Sequence, residues 1–232
     1  MKIIGLMGGM SWESTVGYYR EVNEGIKQAL GGLHSAKIAM YSVNFEPIAQ
    51  LQRQHDWERS GAILADAAQR IQAGGADFLL ICCNTMHQVA PQVQQAIDIP
   101  LVHIADASGQ ALVAAGIKKV GLLGTAFTIE QDFLKAPLQS KYGLEVVLPT
   151  DADKQTVHDI IYQELCLGQF REPSAAACLD VIHHLVDSGA EAVLLACTEL
   201  GMLIPQAQAP VKLFDTMALH AQKAVELALQ DH

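Results

Sequence analysis

The second half of this chain repeats the first, and that repeat limits the fold more than any other feature. Gly5-Leu6-Met7-Gly8 matches Gly121-Leu122-Leu123-Gly124. Gly75-Ala76-Asp77-Phe78-Leu79-Leu80-Ile81-Cys82-Cys83 matches Gly189-Ala190-Glu191-Ala192-Val193-Leu194-Leu195-Ala196-Cys197. Ile99-Pro100-Leu101 with Asp106 matches Ala209-Pro210-Val211 with Asp215, a few residues further out of step. Similarity by chance among apolar strands is the alternative. Three matches in the same order favour duplication.

Each repeat alternates strands and helices. Lys2–Met7 reads as a strand, Glu13–Ala29 as a helix, Lys37–Val43 as a strand and Asp56–Ala73 as a helix. Asp77–Cys82 is a short unbroken apolar run, the mark of a strand buried on both faces. Thr85–Ile97 reads as helical and Leu101–Ile104 as a further strand. This alternation predicts an α/β fold with parallel sheets and helices on both sides. A duplicated α/β unit predicts two similar lobes related by a pseudo-twofold axis. Ligands of open parallel sheets bind beyond the carboxyl ends of the strands. Two lobes facing each other would therefore form an active site in the interlobe cleft. Four strand-end segments become candidates: Gly8-Gly9-Met10-Ser11, Cys83-Asn84-Thr85, Gly124-Thr125 and Cys197-Thr198-Glu199.

Charge narrows the partners. Asp and Glu number 25 against 15 Lys and Arg, a net charge of −10. Nucleic acid and anionic membrane both require clustered cations, and the sequence has no basic run. No segment approaches the ~20 apolar residues of a membrane span. Met1–Met10 reads as a first strand, not as a signal peptide. Five cysteines, odd and sparse, suit a reducing cytoplasm better than a disulfide framework.

Cys83 and Cys197 occupy the same position in each repeat, each closing a strand and opening a turn toward a helix. A helix N-terminus favours thiolate, so a downward pKa shift toward the operating pH is expected. Two opposed thiols across one carbon suit inversion: one sulfur removes the Cα proton and the other delivers a proton to the opposite face. Their titration would belong to the pair. Cysteine is also a common core residue, and Cys82, Cys166 and Cys178 are read as small hydrophobes. Asn84-Thr85 and Thr198-Glu199 suit a small polar ligand, with helix capping as their ordinary role.

At these residues the sequence resembles the aspartate/glutamate racemase family, over nearly the whole chain. The resemblance is carried by Gly8-Gly9-Met10-Ser11-Trp12-Glu13-Ser14-Thr15, Cys83-Asn84-Thr85-Met86-His87 and Cys197-Thr198-Glu199. Its closest likeness is to the bacterial racemases specific for L-aspartate and glutamate. The resemblance implies a cofactor-independent, PLP-independent racemase of two three-layer α/β/α lobes, a homodimer, with Cys83 and Cys197 as catalytic residues. It implies a first lobe over 1–104, a second over 105–214, and 215–232 folding back onto the first. It also implies that Met10, Asn84, Thr85, Thr125, Thr198 and Glu199 hold the α-carboxylate and ammonium, with Gln52 reaching the distal end of the substrate. Aspartate racemases of the family carry an Arg after the second strand and a Lys before a glycine of the second lobe. Here Gln52-Arg53 offers no clear equivalent, and Cys166 stands in the Lys position of Glu164-Leu165-Cys166-Leu167-Gly168. A buried carboxylate needs a paired cation or several donors, so glutamate or a polar neutral amino acid stands beside aspartate.

Other motifs carry less. Gly5-Leu6-Met7-Gly8-Gly9 lacks the Gly-x-Gly-x-x-Gly of dinucleotide binding, and is read as a tight turn whose bare N–H groups suit a carboxylate. His87 and His103 are read as structural, His183 and His184 as surface or partly buried positions of an amphipathic helix, and Asp106 and Asp215 as helix caps. No spacing suits a metal, and no Lys at a strand end suits a Schiff base. Two alternatives stay open: a sister isomerase or decarboxylase of hydantoin racemase or maleate isomerase type, and an amino-acid-binding protein without turnover.

Overall fold

The computed structural model describes residues 1–230 of the 232. They form two compact units, 1–104 with 220–230, and 105–219. The last two positions of the segment expected to fold back, 231 and 232, lie outside the described residues.

The first unit contains β1 (Ile4–Gly8), α1 (Trp12–Leu30), β2 (Ile38–Ser42), α2 (Phe45–Arg53), α3 (Trp57–Ala73), β3 (Phe78–Ile81), a 3-10 turn (Thr85–Val89) and α4 (Ala90–Gln95). Its strands are parallel in the order β2-β1-β3. The chain passes on through α5 (Ile104–Ala114). The second unit continues with β4 (Lys119–Leu123), α6 (Ala126–Glu130), α7 (Asp132–Ser140), β5 (Glu145–Val147) and α8 (Asp151–Gln163). After a 3-10 turn (Leu165–Leu167) come α9 (Glu172–Asp187), β6 (Ala192–Leu195), α10 (Leu200–Leu203), β7 (Lys212–Asp215) and α11 (Thr216–Leu229). Its parallel order is β5-β4-β6-β7.

Side-chain alternation explains why both faces of each sheet are covered. Along β1, Gly5 and Met7 share one face, and Ile4, Leu6 and Gly8 the other. A Cβ on Gly5 would meet Ile71 of α3, and Met7 joins the core that α3 builds with Leu64, Ala67, Ala68 and Ile71. A Cβ on Gly8 would strike Thr15 of α1, and α1 meets α11 where Gly25 lies against Val225. In the second unit, Gly121 lies against Leu185 of α9, and Leu123, Val193 and Leu195 share a core with Val157 and Ile161 of α8 and Val181 and Ile182 of α9. Val120, Leu122 and Leu194, on the opposite face, are fully buried as well.

The strand register reproduces the sequence repeat. Gly5 pairs with Leu79, and Gly121 pairs with Val193. The repeat equates Gly5 with Gly121 and Leu79 with Val193, so the two central ladders are equivalent residue for residue. The third match slips: Leu79 bridges Leu101, but Val193 pairs with Leu213, two residues beyond Val211. A two-residue slip keeps side chains on the same face, so the apolar pattern does not reveal it.

Three expectations need correction. Leu101–Ile104 is not a full strand. Leu101 makes one bridge, with Leu79 N donating to Pro100 O and Val102 N to Leu79 O, both at 2.9 Å. Helix α5 then begins at Ile104. This early start places Asp106 inside the first turn, past the capping position, where it accepts from Lys141 Nζ at 2.7 Å and Tyr142 OH at 2.8 Å. Asp215 does cap, accepting from Met217 N at 2.8 Å. The expected helix Thr85–Ile97 is a 3-10 turn followed by the six-residue α4, with Pro91 at the start of α4. Among the described residues no helix is long and apolar enough to cross a membrane.

Candidate active site

Parallel strands bring the named residues to the carboxyl edge of each sheet. In the first unit, β1 ends at Gly8 and runs into Gly9, whose φ of +97° favours glycine. The turn is held from within: Gly9 N donates to Thr15 Oγ1 at 2.8 Å, and Thr15 Oγ1 donates to Ser11 O at 2.9 Å. Ser11 Oγ caps α1 by accepting from Ser14 N at 3.3 Å. The N–H of Gly9 is thus engaged by Thr15, which corrects the expectation that it stands bare for a carboxylate. Met10, next in the chain, is buried in the same cluster as Cys83 and Met86.

Cys83 lies two residues beyond the end of β3 and is 8% exposed. Asn84 and Thr85 follow it, both buried. Gln52 follows β2 in the chain. It lies on α2, an element the sequence did not announce, and its Nε2 approaches Met86 Sδ at 3.0 Å. Ile48, Ala49 and Gln52 form the buried face of that helix. Arg53 points the other way and pairs with Glu46 at 3.2 Å on the exposed side. The first unit therefore gathers Met10, Gln52, Cys83, Asn84 and Thr85 at one sheet edge, with an amide and not a guanidinium on α2.

His87 holds the Cys83 turn in place. Its Nδ1 lies 2.8 Å from Cys83 O, and its Nε2 receives Ile104 N–H at 3.2 Å. A carbonyl accepts, so Nδ1 carries the proton and Nε2 is bare. His220 has the opposite tautomer: Nε2–H donates to Val102 O at 2.8 Å, and Nδ1 accepts from Tyr18 OH at 2.9 Å. His103 packs edge-on against His87, with ring centroids 4.6 Å apart. Burial drives His87 well below the usual histidine range and His220 down to about 3. The expectation of a structural His87 fits these bonds.

The second unit repeats the geometry. Cys197 lies two residues beyond the end of β6 and is 7% exposed. Beside it, β4 leads through Gly124 to Thr125. A Cβ on Gly124 would come within 2.9 Å of Ala196 O, so glycine lets the two strand ends close together. Thr125 caps α6, accepting from Thr128 N at 3.2 Å. His158 of α8 supports the same turn, accepting from Ala126 N at 3.3 Å. The sequence carried no signal for His158, because a single histidine in a helix has no pattern.

Glu199 governs the surroundings of Cys197. Cys197 Sγ donates to Glu199 Oε2 at 3.1 Å, and Thr198 Oγ1 donates to the same oxygen at 2.7 Å. Cys166 Sγ reaches Glu199 Oε1 at 3.9 Å, so Cys166 is more than a packed hydrophobe. Burial first, then the Glu199 charge, push the Cys197 thiol well above its ordinary pKa. The expected downward shift at Cys197 is therefore reversed. Helix α10 has four residues and too little dipole to offset burial beside a carboxylate. Neither Asn84 nor Glu199 makes a side-chain cap at the N-terminal position it occupies. Cys82 and Cys178 are buried, with Cys178 pushed up to about 12, in keeping with core thiols. Among the described residues, no group of three His, Cys, Asp or Glu side chains is placed to hold a metal ion.

These features define a duplicated α/β protein that places one thiol at the same strand end of each repeat. Comparison with known proteins gives that class a family. The profile of the Asp/Glu/hydantoin racemases matches residues 7–224, and the chain belongs to that family. A candidate Asp/Glu racemase from Yersinia pestis superposes with a TM-score of 0.91 at 47% identity, covering 99% of this chain and 100% of that one. An aspartate racemase homologue from Pyrococcus horikoshii OT3 gives a TM-score of 0.82 at 34% identity, covering 98% and 99%. The broad specificity amino-acid racemase RacX of Bacillus subtilis is 25% identical over 98% of each chain.

Proposed function

We propose that the protein is an amino-acid racemase that inverts aspartate, glutamate or a related polar amino acid with Cys83 and Cys197 as its two acid/base groups. One observation carries the reading: each repeat places a thiol two residues past its buried strand, in ladders of the same register. Inversion requires a base on one face of Cα and an acid on the other. One cysteine takes the Cα proton as thiolate while the other gives its proton as thiol, and the roles exchange for the reverse reaction. The intermediate places enolate-like charge on the α-carboxylate, which polar donors stabilise. Asn84, Thr85, Thr125 and Thr198 are the buried polar groups at the strand ends suited to that task. The chemistry needs no electron-sink cofactor.

The distal end of the substrate meets Gln52, the buried polar residue of α2. A neutral amide binds a side-chain carboxylate less tightly than a guanidinium does, and it also accepts amide or hydroxyl groups. This supports a range of polar side chains, and the relative from Bacillus subtilis is itself named a broad specificity amino-acid racemase. The test is a panel of L- and D-amino acids led by glutamate and aspartate, incubated without added cofactor and analysed by chiral chromatography. Appearance of the opposite enantiomer is expected, fastest with a polar side chain. Ligand-dependent melting with no inversion would point to an amino-acid-binding protein, and loss of CO₂ or another isomerisation to a sister reaction.

A further inference from the structure

Glu199 was expected to hold substrate, but its observed bonds give it another task. Its carboxylate is buried, 3% exposed, and both oxygens face thiols of its own unit. Oε2 accepts from Cys197 Sγ at 3.1 Å and from Thr198 Oγ1 at 2.7 Å, and Oε1 lies 3.9 Å from Cys166 Sγ. We propose that Glu199 is a positioning residue for Cys197: it takes the thiol hydrogen as a hydrogen-bond acceptor and holds Cys197 as the protonated member of the cysteine pair. Cys166 shares the carboxylate from the 3-10 turn Leu165–Leu167.

The physical argument is charge repulsion at short range. A thiolate at Cys197 would face a carboxylate oxygen at hydrogen-bond distance in a buried site. Keeping the proton on sulfur removes that repulsion and retains the S–H···O bond. The titratable groups facing Cys197 in its unit are Glu199, from the adjoining turn, and Cys166, from the 3-10 turn. Cys178 on α9 faces Glu164 instead. With Cys197 favoured as the thiol of the resting pair, the resting thiolate falls to Cys83, and the reverse direction starts from the less populated form with the thiolate on Cys197. This step rests on the two-cysteine reading, but its test is separable from it.

Glu199→Gln keeps an acceptor oxygen near the sulfur and removes the charge. The infrared S–H stretch of Cys197, assigned by its loss in Cys197→Ser, should titrate away at a pH lower by about one unit or more in Glu199→Gln. The basic limb of the kcat/KM profile should move down by a similar interval, which a merely structural role would not produce. An unmoved band and an unmoved limb in a folded variant overturn the proposal. Should Glu199→Gln fail to fold, the wild-type protein decides. Its Cys197 band must lie at the lowered frequency of a hydrogen-bonded thiol, and a band at the frequency of a thiol without an acceptor overturns the proposal. The S–H measurements need no substrate, so a shifted band without amino-acid inversion would sink the racemase reading alone. Inversion with an unmoved band would sink this one alone.

Discussion

Replacing either cysteine with serine should cut racemisation by about 10²- to 10⁴-fold, the usual contribution of a positioned acid or base. Both directions should fall together in each variant. L- and D-enantiomers have equal free energy, so the ratio of their kcat/KM values is fixed at one, and each direction needs both sulfurs. Serine preserves the small volume at Cys83 and Cys197, which lie in the apolar clusters of their units. Its hydroxyl is too weak an acid to replace a thiol as proton donor. Chiral chromatography from each pure enantiomer, with circular dichroism to verify folding, checks the result. Cys83→Ser or Cys197→Ser with wild-type turnover in both directions would refute two-base catalysis.

The first unit should lose stability steeply as pH falls from 7 to 5. His87 and His220 are fully neutral in their bonds, each with one nitrogen donating to a carbonyl and the other accepting. Protonating His87 at Nε2 would set two donors face to face, Nε2–H against the Ile104 N–H. His103 lies beside His87, so adjacent charge would add to the cost. Both histidines are held below the value of 6.5 that an unfolded histidine shows, His220 down to about 3. Between those limits the unfolded chain binds more protons than the folded one. Stability from these groups is therefore complete above 6.5 and lost as pH falls toward the folded value. For His220 the slope is about 1.4 kcal/mol per pH unit, roughly 2 kcal/mol by pH 5, and His87 adds to the loss in the same direction. Urea unfolding at pH 7, 6 and 5 measures this directly, and His220→Gln should flatten the curve. Stability unchanged across that range in the wild-type protein would show that the histidines do not stay neutral in the folded state.

The sequence showed what depends on short segments and periodicity. The duplicated ladders, the buried strands and the place of Cys83 and Cys197 could all be read from runs of nine residues or fewer. Long-range relations stayed hidden. The bridge at Leu101 stops after one pair because the chain turns into α5, and nothing in Leu101–Ile104 records that. Helix α2 was hidden because its buried face is only Ile48, Ala49 and Gln52. The histidine network joins residues 18, 83, 87, 102, 104 and 220, and no local pattern connects them. The direction of the Cys197 shift was misjudged for a related reason. A helix start was visible in the sequence, but not its four-residue length, nor that the Glu199 carboxylate turns back onto the sulfur.

The central claim is that two different groups handle the departing and the arriving proton. It is tested most directly in D₂O. The fastest substrate of the panel is given as one pure enantiomer, the reaction is stopped before appreciable conversion, and the two enantiomers are separated and weighed by mass spectrometry. Two-base catalysis predicts that the newly formed enantiomer carries one deuterium at Cα while the recovered starting enantiomer remains protiated. The arriving hydrogen then comes from a thiol equilibrated with solvent, and the departing one stays on the other sulfur. Deuterium washing into the starting enantiomer ahead of inversion, or a product that keeps its original protium, would contradict the account.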